Sequence, residues 1–292
     1  EVIRLGPDFL TELGAERVRA RPPINLRGTA PAPDTELFVF TSADSGYFRR
    51  FGRSFLTSVT RNAGQRTHVH FHLINPDAEV EAQLAALAGS AANCSIAYTV
   101  EQAEVERFGE DRNTVYACAR FRILPDLLRH YGRPLLCLDI DLLMLRPPAP
   151  LLREAGTADI AVVGEASHEL WNQFWADVIH LRPTERAIEF VTLASAYMEQ
   201  FLAKGKARWF LDQIAFFSVR HGLPAALRPS IHALPTSIHR LKLQVTPDGH
   251  VAADDEAYFW SVRASLPSHE VQVRSPEFQA YCGPLPVDAS AA

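Results

Sequence analysis

At 292 residues and 47% hydrophobic content, the chain is long enough for one large α/β domain or two small ones. A net charge of −5 argues against a general nucleic-acid binder, which would carry a basic domain, and no stretch resembles a nucleic-acid-binding motif. No apolar run approaches the roughly 20 residues that span a bilayer, and the first residues do not read as a charged-then-apolar leader, so a soluble protein is expected.

Residues 1–34 differ in texture from the rest of the chain. Arg17, Arg19 and Arg21, the pair Pro22 and Pro23, then Pro31 and Pro33 mark a linker or surface arm that wraps a domain over 35–275. Its basic residues read as a solvated charge run, with peripheral contact to a membrane surface as the alternative. From Leu37 onward strands and helices alternate, the signature of a mostly parallel sheet. Strands are expected at 37–41, 69–74 and 95–99, and helices at 47–61, with Phe48, Phe51, Phe55 and Val59 at helical spacing, and at 78–87. A helix-like stretch over 116–132 closes on Gly132 just before an apolar strand at 135–138. Residues 158–163 form another apolar run, ending Gly164-Glu165, and 175–181 reads as a strand. Pro183-Thr184 starts a helix on which Phe190, Leu193, Ala194, Tyr197 and Phe201 share one face, closing at Gly205. Residues 276–292 read as a tail. There is no internal repeat and no glycine-rich phosphate loop.

The strand at 135–138 is too short and too uniformly apolar for an amphipathic helix, and it ends in Asp139-Ile140-Asp141. Charges cannot follow such a run into a core unpaired, so the acids belong at the strand's carboxyl end, where open α/β sheets bind ligands. Two hard oxygen donors at this spacing suit Mg²⁺ or Mn²⁺ bridging a diphosphate. The same pattern also serves to cap a helix or solvate a turn. His68, His70 and His72 alternate along one strand and invite a metal reading, but hydrogen-bonded packing residues are the expectation for a strand covered by helices. Cys94, Cys118, Cys137 and Cys282 lie far apart, with no Cys-x-x-Cys, as reduced, mostly buried thiols of a cytoplasmic protein do. Of the 29 basic residues only Lys204, Lys206 and Lys242 are lysines, so a cation that grips a diphosphate is expected to be arginine.

Tyr116-Ala-Cys-Ala-Arg120-Phe121-Arg122-Ile-Leu-Pro125, followed by a Leu-rich strand and Asp-x-Asp, resembles the nucleotide-sugar-dependent glycosyltransferases of the GT-A fold, closest to family 8 and its bacterial galactosyl- and glucosyltransferase-like members. Upstream, Leu37-Phe-Val-Phe-Thr41-Ser-Ala43-Asp44-Ser-Gly-Tyr47 is similar to that family's first strand and uridine-binding loop. Downstream, Trp209-Phe-Leu-Asp212-Gln213 is similar to its Asp-Gln helix start. The resemblance implies an α/β, Rossmann-like fold with a mostly parallel central sheet flanked by helices. It implies transfer of a sugar, with retention, from a UDP-linked donor to a glycan or other acceptor, a cell-envelope glycan being the natural choice. By the same resemblance Asp139 and Asp141 hold Mn²⁺ or Mg²⁺; Ala43, Asp44, Tyr47, Arg120 and Ile140 contact the donor, with Tyr47 stacking on uracil; and Asp212 and Gln213 sit beside the transferred sugar. Asp44 and Asp212 are also what helix capping selects, the Trp-Phe-Leu-Asp-Gln unit favouring the functional reading at Asp212, and Arg120 reads equally as a structural partner of an aspartate.

The chain departs from the family near its end, where a histidine, a glycine and a lysine usually complete the metal shell. Tyr258-Phe-Trp-Ser-Val-Arg263 and Ala280-Tyr-Cys-Gly283 only partly match. His239, His250 and His269 are the candidate third ligands, and Arg240, Lys242, Arg263 and Arg274 the candidate diphosphate cations. The family's Asn-Ala-Gly segment is here Trp175-Ala176-Asp177. Two alternatives stay open: a degenerate transferase fold acting as a binding module, and a haloacid-dehalogenase-type phosphatase, which also places Asp-x-Asp after an apolar strand.

Overall fold

The computed structural model describes residues 6–16, 24–88, 93–164, 169–240, 257–262 and 269–283. The described elements begin with helix α1 (Pro7–Glu16), strands β1 (Arg27–Gly28) and β2 (Leu37–Asp44), and a helix in three stretches: α2 (Ser45–Tyr47), a π-helical turn (Phe48–Gly52) and α3 (Arg53–Asn62). Strand β3 (Thr67–Ile74), helix α4 (Ala78–Ala88), strand β4 (Cys94–Glu101) and helix α5 (Arg112–Tyr131) follow. Next come β5 (Leu135–Leu138), β6 (Leu142–Met144), α6 (Ala149–Glu154), β7 (Ile160–Val163) and β8 (Val178–Leu181). The remainder is α7 (Glu185–Ala203), α8 (Leu211–Gly222), β9 (Ile231–Leu234), β10 (His239–Arg240), β11 (Phe259–Ser261), α9 (His269–Arg274) and α10 (Pro276–Gln279). The chain divides into two compact α/β units, each discontinuous in sequence. One comprises Glu1–Asn25, Glu101–Cys137 and Ala155–Leu234, the other Leu26–Val100, Leu138–Glu154 and Pro235–Ala292.

In the unit built around Leu26–Val100 the strands run in the order β1, β4, β3, β2. Strand β2 pairs with β3 in parallel from Leu37↔Thr67 to Asp44↔Ile74, while β1 is antiparallel to β4. All eight residues of β3 are buried, so the polar alternation of His68, His70 and His72 does not mark a solvent face. The predicted stripe Phe48, Phe51, Phe55 and Val59 is buried, and Phe48 and Phe55 meet Phe71 edge-on at 5.6 and 6.0 Å. A smaller sheet places β11 between β10, which is parallel to it, and β6, which is antiparallel.

The other unit sets β5, β8, β7 and β9 side by side, with β8 antiparallel and β9 parallel to β7. Helix α5 ends where its sequence predicts: Gly132 takes a left-handed φ of 57° and its N–H bonds Leu128 O at 3.0 Å. Helix α7 begins on Thr184, whose hydroxyl accepts from Ala187 N at 3.2 Å. Its apolar face is core as predicted, with Phe190, Leu193, Ala194, Tyr197 and Phe201 buried. Phe216 of α8 packs edge-on to Phe121 at 4.8 Å and stacks near Phe190 at 5.7 Å.

Two stretches differ from expectation. The supposed arm 1–34 contains α1, whose Phe9, Leu10 and Leu13 are buried; Phe9 lies edge-on to Tyr197 at 5.4 Å, and Leu10 crowds Gly222. Burying three such side chains, at about 1.5–3 kcal/mol each, outweighs the charge and proline signals that surround them. The supposed tail starting at residue 276 begins with α10, capped by Ser275, and Phe278 is buried edge-on to Trp260 at 6.2 Å. The strand expected at 175–181 is confined to β8. Among the described residues no helix is long and apolar enough to cross a membrane.

Candidate active site

Strand β5 stops at Leu138, and Asp139–Asp141 make the turn into β6, closed by Leu142 N–H donating to Asp139 O at 3.1 Å. Asp141 O accepts from Val262 N at 2.9 Å, so the residue directly after β11 braces the turn. Helix α3 braces the strand after it: Ser58 Oγ accepts from Met144 N at 3.0 Å and Asn62 Nδ2 donates to Met144 O at 2.8 Å. Both acids are half-buried, and Ile140 between them is 4% exposed.

At the end of β2, in the same unit, Asp44 caps α2, its Oδ1 accepting from Tyr47 N at 2.8 Å. Ala43 is buried, and Tyr47 stands 40% exposed with its ring 5.5 Å from Phe51. Burial, then the negative charges of Asp141 and Asp44, push the Tyr47 hydroxyl above its ordinary value. Tyr47, Asp44 and Asp141 therefore share one electrostatic neighbourhood although 94 residues separate Tyr47 from Asp141 in sequence. A π-helical turn directly after Tyr47 lets the Phe48 ring lie against the hydrogen face of Gly52, where a Cβ would approach to 2.9 Å.

In the other unit, Asp212 opens α8 and is buried. Its Oδ1 accepts from Gln213 N at 2.9 Å and its Oδ2 from Arg120 Nη2 at 3.2 Å, with both side chains of the ion pair nearly inaccessible. The Arg120 guanidinium lies over the Phe121 ring at 4.6 Å. Hydrogen bonding orients the Gln213 amide: its nitrogen donates to Phe174 O at 3.0 Å and to Trp171 O. These carbonyls come from a 3₁₀ turn, Leu170–Gln173, and from the residue after it. Gly164 permits that approach, since a Cβ there would collide with Gln173 O. Sequence reasoning missed the Trp171 and Phe174 contacts, because every residue carries a carbonyl and nothing in the side-chain pattern marks these two.

Phe210 precedes α8 with φ 69°, one of three non-glycine residues at positive φ among the described ones. The left-handed region costs a non-glycine residue about 1–3 kcal/mol, and such strain concentrates at functional sites. Here the Phe210 ring is held flat against Trp171, at 5.6 Å and 6°. Beneath Asp212, burial and then the Asp212 charge hold the Cys118 thiol far above its usual range. Burial likewise raises Cys94, to about 12, and Cys137, so these thiols are inert.

The histidines of β3 are packing residues, as expected: His68 Nδ1 pairs with Ser95 Oγ at 2.8 Å, and His70 Nε2 and His72 Nδ1 both meet Thr99 Oγ1, at 3.0 and 2.9 Å. Among the described residues no three His, Cys, Asp or Glu side chains are grouped to hold a metal ion. The donor set of the Asp139–Asp141 turn still fits Mg²⁺ or Mn²⁺, which take one or two carboxylates and complete their shell with substrate phosphate and water. Of the candidate third ligands and cations, His250, Lys242 and Arg263 lie outside the described residues. His239 and Arg240 form β10 and His269 opens α9. Arg274 reaches Glu270 at 3.7 Å on an exposed helix face.

A comparison with curated proteins finds no match. Among solved structures, the galactosyltransferase LgtC in complex with donor and acceptor sugar analogs is similar at 13% identity and a TM-score of 0.53, over 87% of this chain and 98% of that one. The bifunctional glycosyltransferase WbbM, in its apo structure, is similar at 15% identity and a TM-score of 0.51, over 85% of this chain. This chain spans 53% of WbbM's length. These likenesses establish a shared GT-A-type α/β architecture. The sequence profile of the nucleotide-diphospho-sugar transferases matches residues 66–266, well over half the chain and including the turn, Arg120 and Asp212-Gln213. The chain therefore belongs to the nucleotide-diphospho-sugar transferase family and is a glycosyltransferase.

Proposed function

We propose that the enzyme transfers a hexose-like sugar from a UDP-linked donor, with retention, to a hydroxyl of a glycan acceptor in the cytoplasm, a cell-envelope glycan being the favoured class. The observation that carries this reading is the neighbourhood of Tyr47, Asp44 and Asp141 within one compact unit. A base-stacking ring and a carboxylate pair for the diphosphate must stand within one nucleotide's reach of each other. Family membership favours transfer over the dehalogenase-type phosphatase reading.

In this mechanism Tyr47 stacks on uracil and Ala43 leaves room for the base. Asp44 accepts from the base or ribose while continuing to cap its helix. Ile140, its side chain buried, contacts the donor through its backbone. Asp139 and Asp141 would hold a divalent cation, Mn²⁺ or Mg²⁺, which would supply charge neutralisation for the nucleoside diphosphate. Arg120 acts at one remove from the donor: its ion pair with Asp212 keeps that carboxylate charged and in place. Asp212 contributes fixed negative charge near the developing oxocarbenium. Gln213, its amide nitrogen held by the Trp171 and Phe174 carbonyls, presents the other end of the amide to the sugar. The acceptor hydroxyl attacks on the face that the diphosphate leaves.

Calorimetric titration of UDP and GDP, with and without Mn²⁺, tests the reading on the wild type and on an Asp139→Asn, Asp141→Asn double variant. Manganese-dependent UDP binding that the variant loses supports it. Binding of neither nucleotide would overturn it in favour of a degenerate binding module.

A further inference from the structure

Trp209 is the outlier on the surface of its unit. It is 57% exposed, one of three large hydrophobic side chains exposed among the described residues, and it stands three positions before Asp212. The residues around it are firmly held. Ala207 and Leu211 on either side are buried, and Leu211 N–H closes a turn onto Arg208 O at 3.0 Å, which makes Trp209 and Phe210 its corner residues. Arg208 pairs with Asp111 at 2.9 Å. The strained Phe210 is clamped by its flat stack on Trp171, and the Trp209 ring lies 5.9 Å from the Phe210 ring, tilted by 57°.

An indole seated on a held aromatic stack and left open to solvent presents a ready-made flat face on which a ligand can stack. Aromatic side chains fixed in advance bind with little loss of rotamer freedom. The ligand must offer a flat apolar face to the ring and hydroxyls to the polar groups beside it. A pyranose has this make-up: one face of axial C–H bonds and a rim of equatorial hydroxyls. Polar groups are close in sequence, since the same turn begins with the exposed Arg208 and Gln213 follows four residues after Trp209.

We infer that Trp209, seated on the Phe210–Trp171 stack, is an acceptor-side subsite that binds a pyranose ring by stacking and thereby selects a saccharide acceptor. This rests on the proposed transfer at Asp212-Gln213 and adds the residue that recognises the acceptor's sugar.

Saturation-transfer NMR tests it with methyl pyranosides of the gluco, galacto, manno and N-acetylgluco series as probes, on wild type, Trp209→Ala and Trp209→Tyr, each sample also titrated with UDP and Mn²⁺. The expected result is transfer to the C–H protons of one ring face in the wild type, retention in Trp209→Tyr, and binding about tenfold weaker in Trp209→Ala, as loss of one stacking ring predicts. No transfer to any pyranoside in the wild type, or undiminished transfer in Trp209→Ala, overturns the subsite. The UDP titration separates the two ideas: UDP binding with Trp209-independent pyranoside signals removes the subsite and leaves the transferase reading. Trp209-dependent pyranoside binding without UDP binding does the reverse.

Discussion

The turn Asp139–Asp141 and the helix start Asp212-Gln213 are both short acidic motifs next to apolar sequence, and they are built in opposite ways. The turn leaves two carboxylates half-buried where the chain passes from β5 to β6, with Val262 N–H bonded to its backbone and the side chain between them buried. The helix start buries its carboxylate and commits both oxygens, one to Gln213 N and one to Arg120. An acid that is to hold a cation must keep oxygens within reach of solvent and ligand. An acid that is to supply a fixed charge must be neutralised and immobilised by the fold itself, because burial without a partner is too costly. Exposure, rather than residue type, separates the two roles.

The contrast can be broken most severely at the turn. Asp139→Asn with Asp141→Asn is expected to lower donor turnover by about 10³–10⁴-fold, a loss of several kcal/mol of charge stabilisation, with the thermal midpoint unchanged. A parallel fall in the midpoint would mean that the turn acids are structural. Arg120→Ala should do what the turn variant does not: leaving Asp212 buried without its cation should cost about 3–4 kcal/mol in urea unfolding. Unchanged stability would show that water reaches Asp212 and that the two motifs are less distinct than their burial implies.

Acid offers a third probe, because the unit that buries Asp212 also buries His180 on β8. Burial, then the Arg182 charge, pull His180 down to about 4. Unfolded, it titrates near 6.5, so its contribution to stability is complete above that pH and is lost as the pH falls toward 4. The loss reaches up to about 3 kcal/mol at roughly 1.4 kcal/mol per unit. Thermal midpoints between pH 7 and pH 4 should fall more steeply for the wild type than for His180→Phe, and parallel slopes would remove His180 from the account. At Gln213, replacement by alanine should slow transfer by about 10²-fold while UDP affinity stays within twofold, as expected of a group that acts on the reacting centre. Weaker UDP binding with an unchanged rate would make it a donor contact instead. The smallest effect is expected at Tyr47→Ala, about tenfold weaker UDP binding in calorimetry from the loss of one stacking ring. No change there would detach Tyr47 from the turn's chemistry.

Much of the architecture was legible in sequence because it rests on local signals. Strand β5 and its acidic end, the Gly132 stop, the Thr184 cap and the apolar face of α7 follow from periodicity and capping chemistry. Helix α1 was not legible, since Arg17, Pro22 and Pro23 suggested a linker and only packing against Tyr197 and Phe201 gives Phe9 a place to be buried. The same holds for α10, where Phe278 finds Trp260.

By itself the sequence determined the alternation of elements, the position of each acid at the end of an apolar segment, and the motif order from which family membership follows, because each of these is written in residues close together along the chain. Only the tertiary structure decided that Arg120 pairs with Asp212 across 92 positions, that Trp171 and Phe174 carbonyls orient Gln213, and that Tyr47 feels the charge of Asp141. The reason is physical: a carboxylate's role depends on the dielectric around it and on the partner it meets, and both are set by residues distant in sequence that folding brings near.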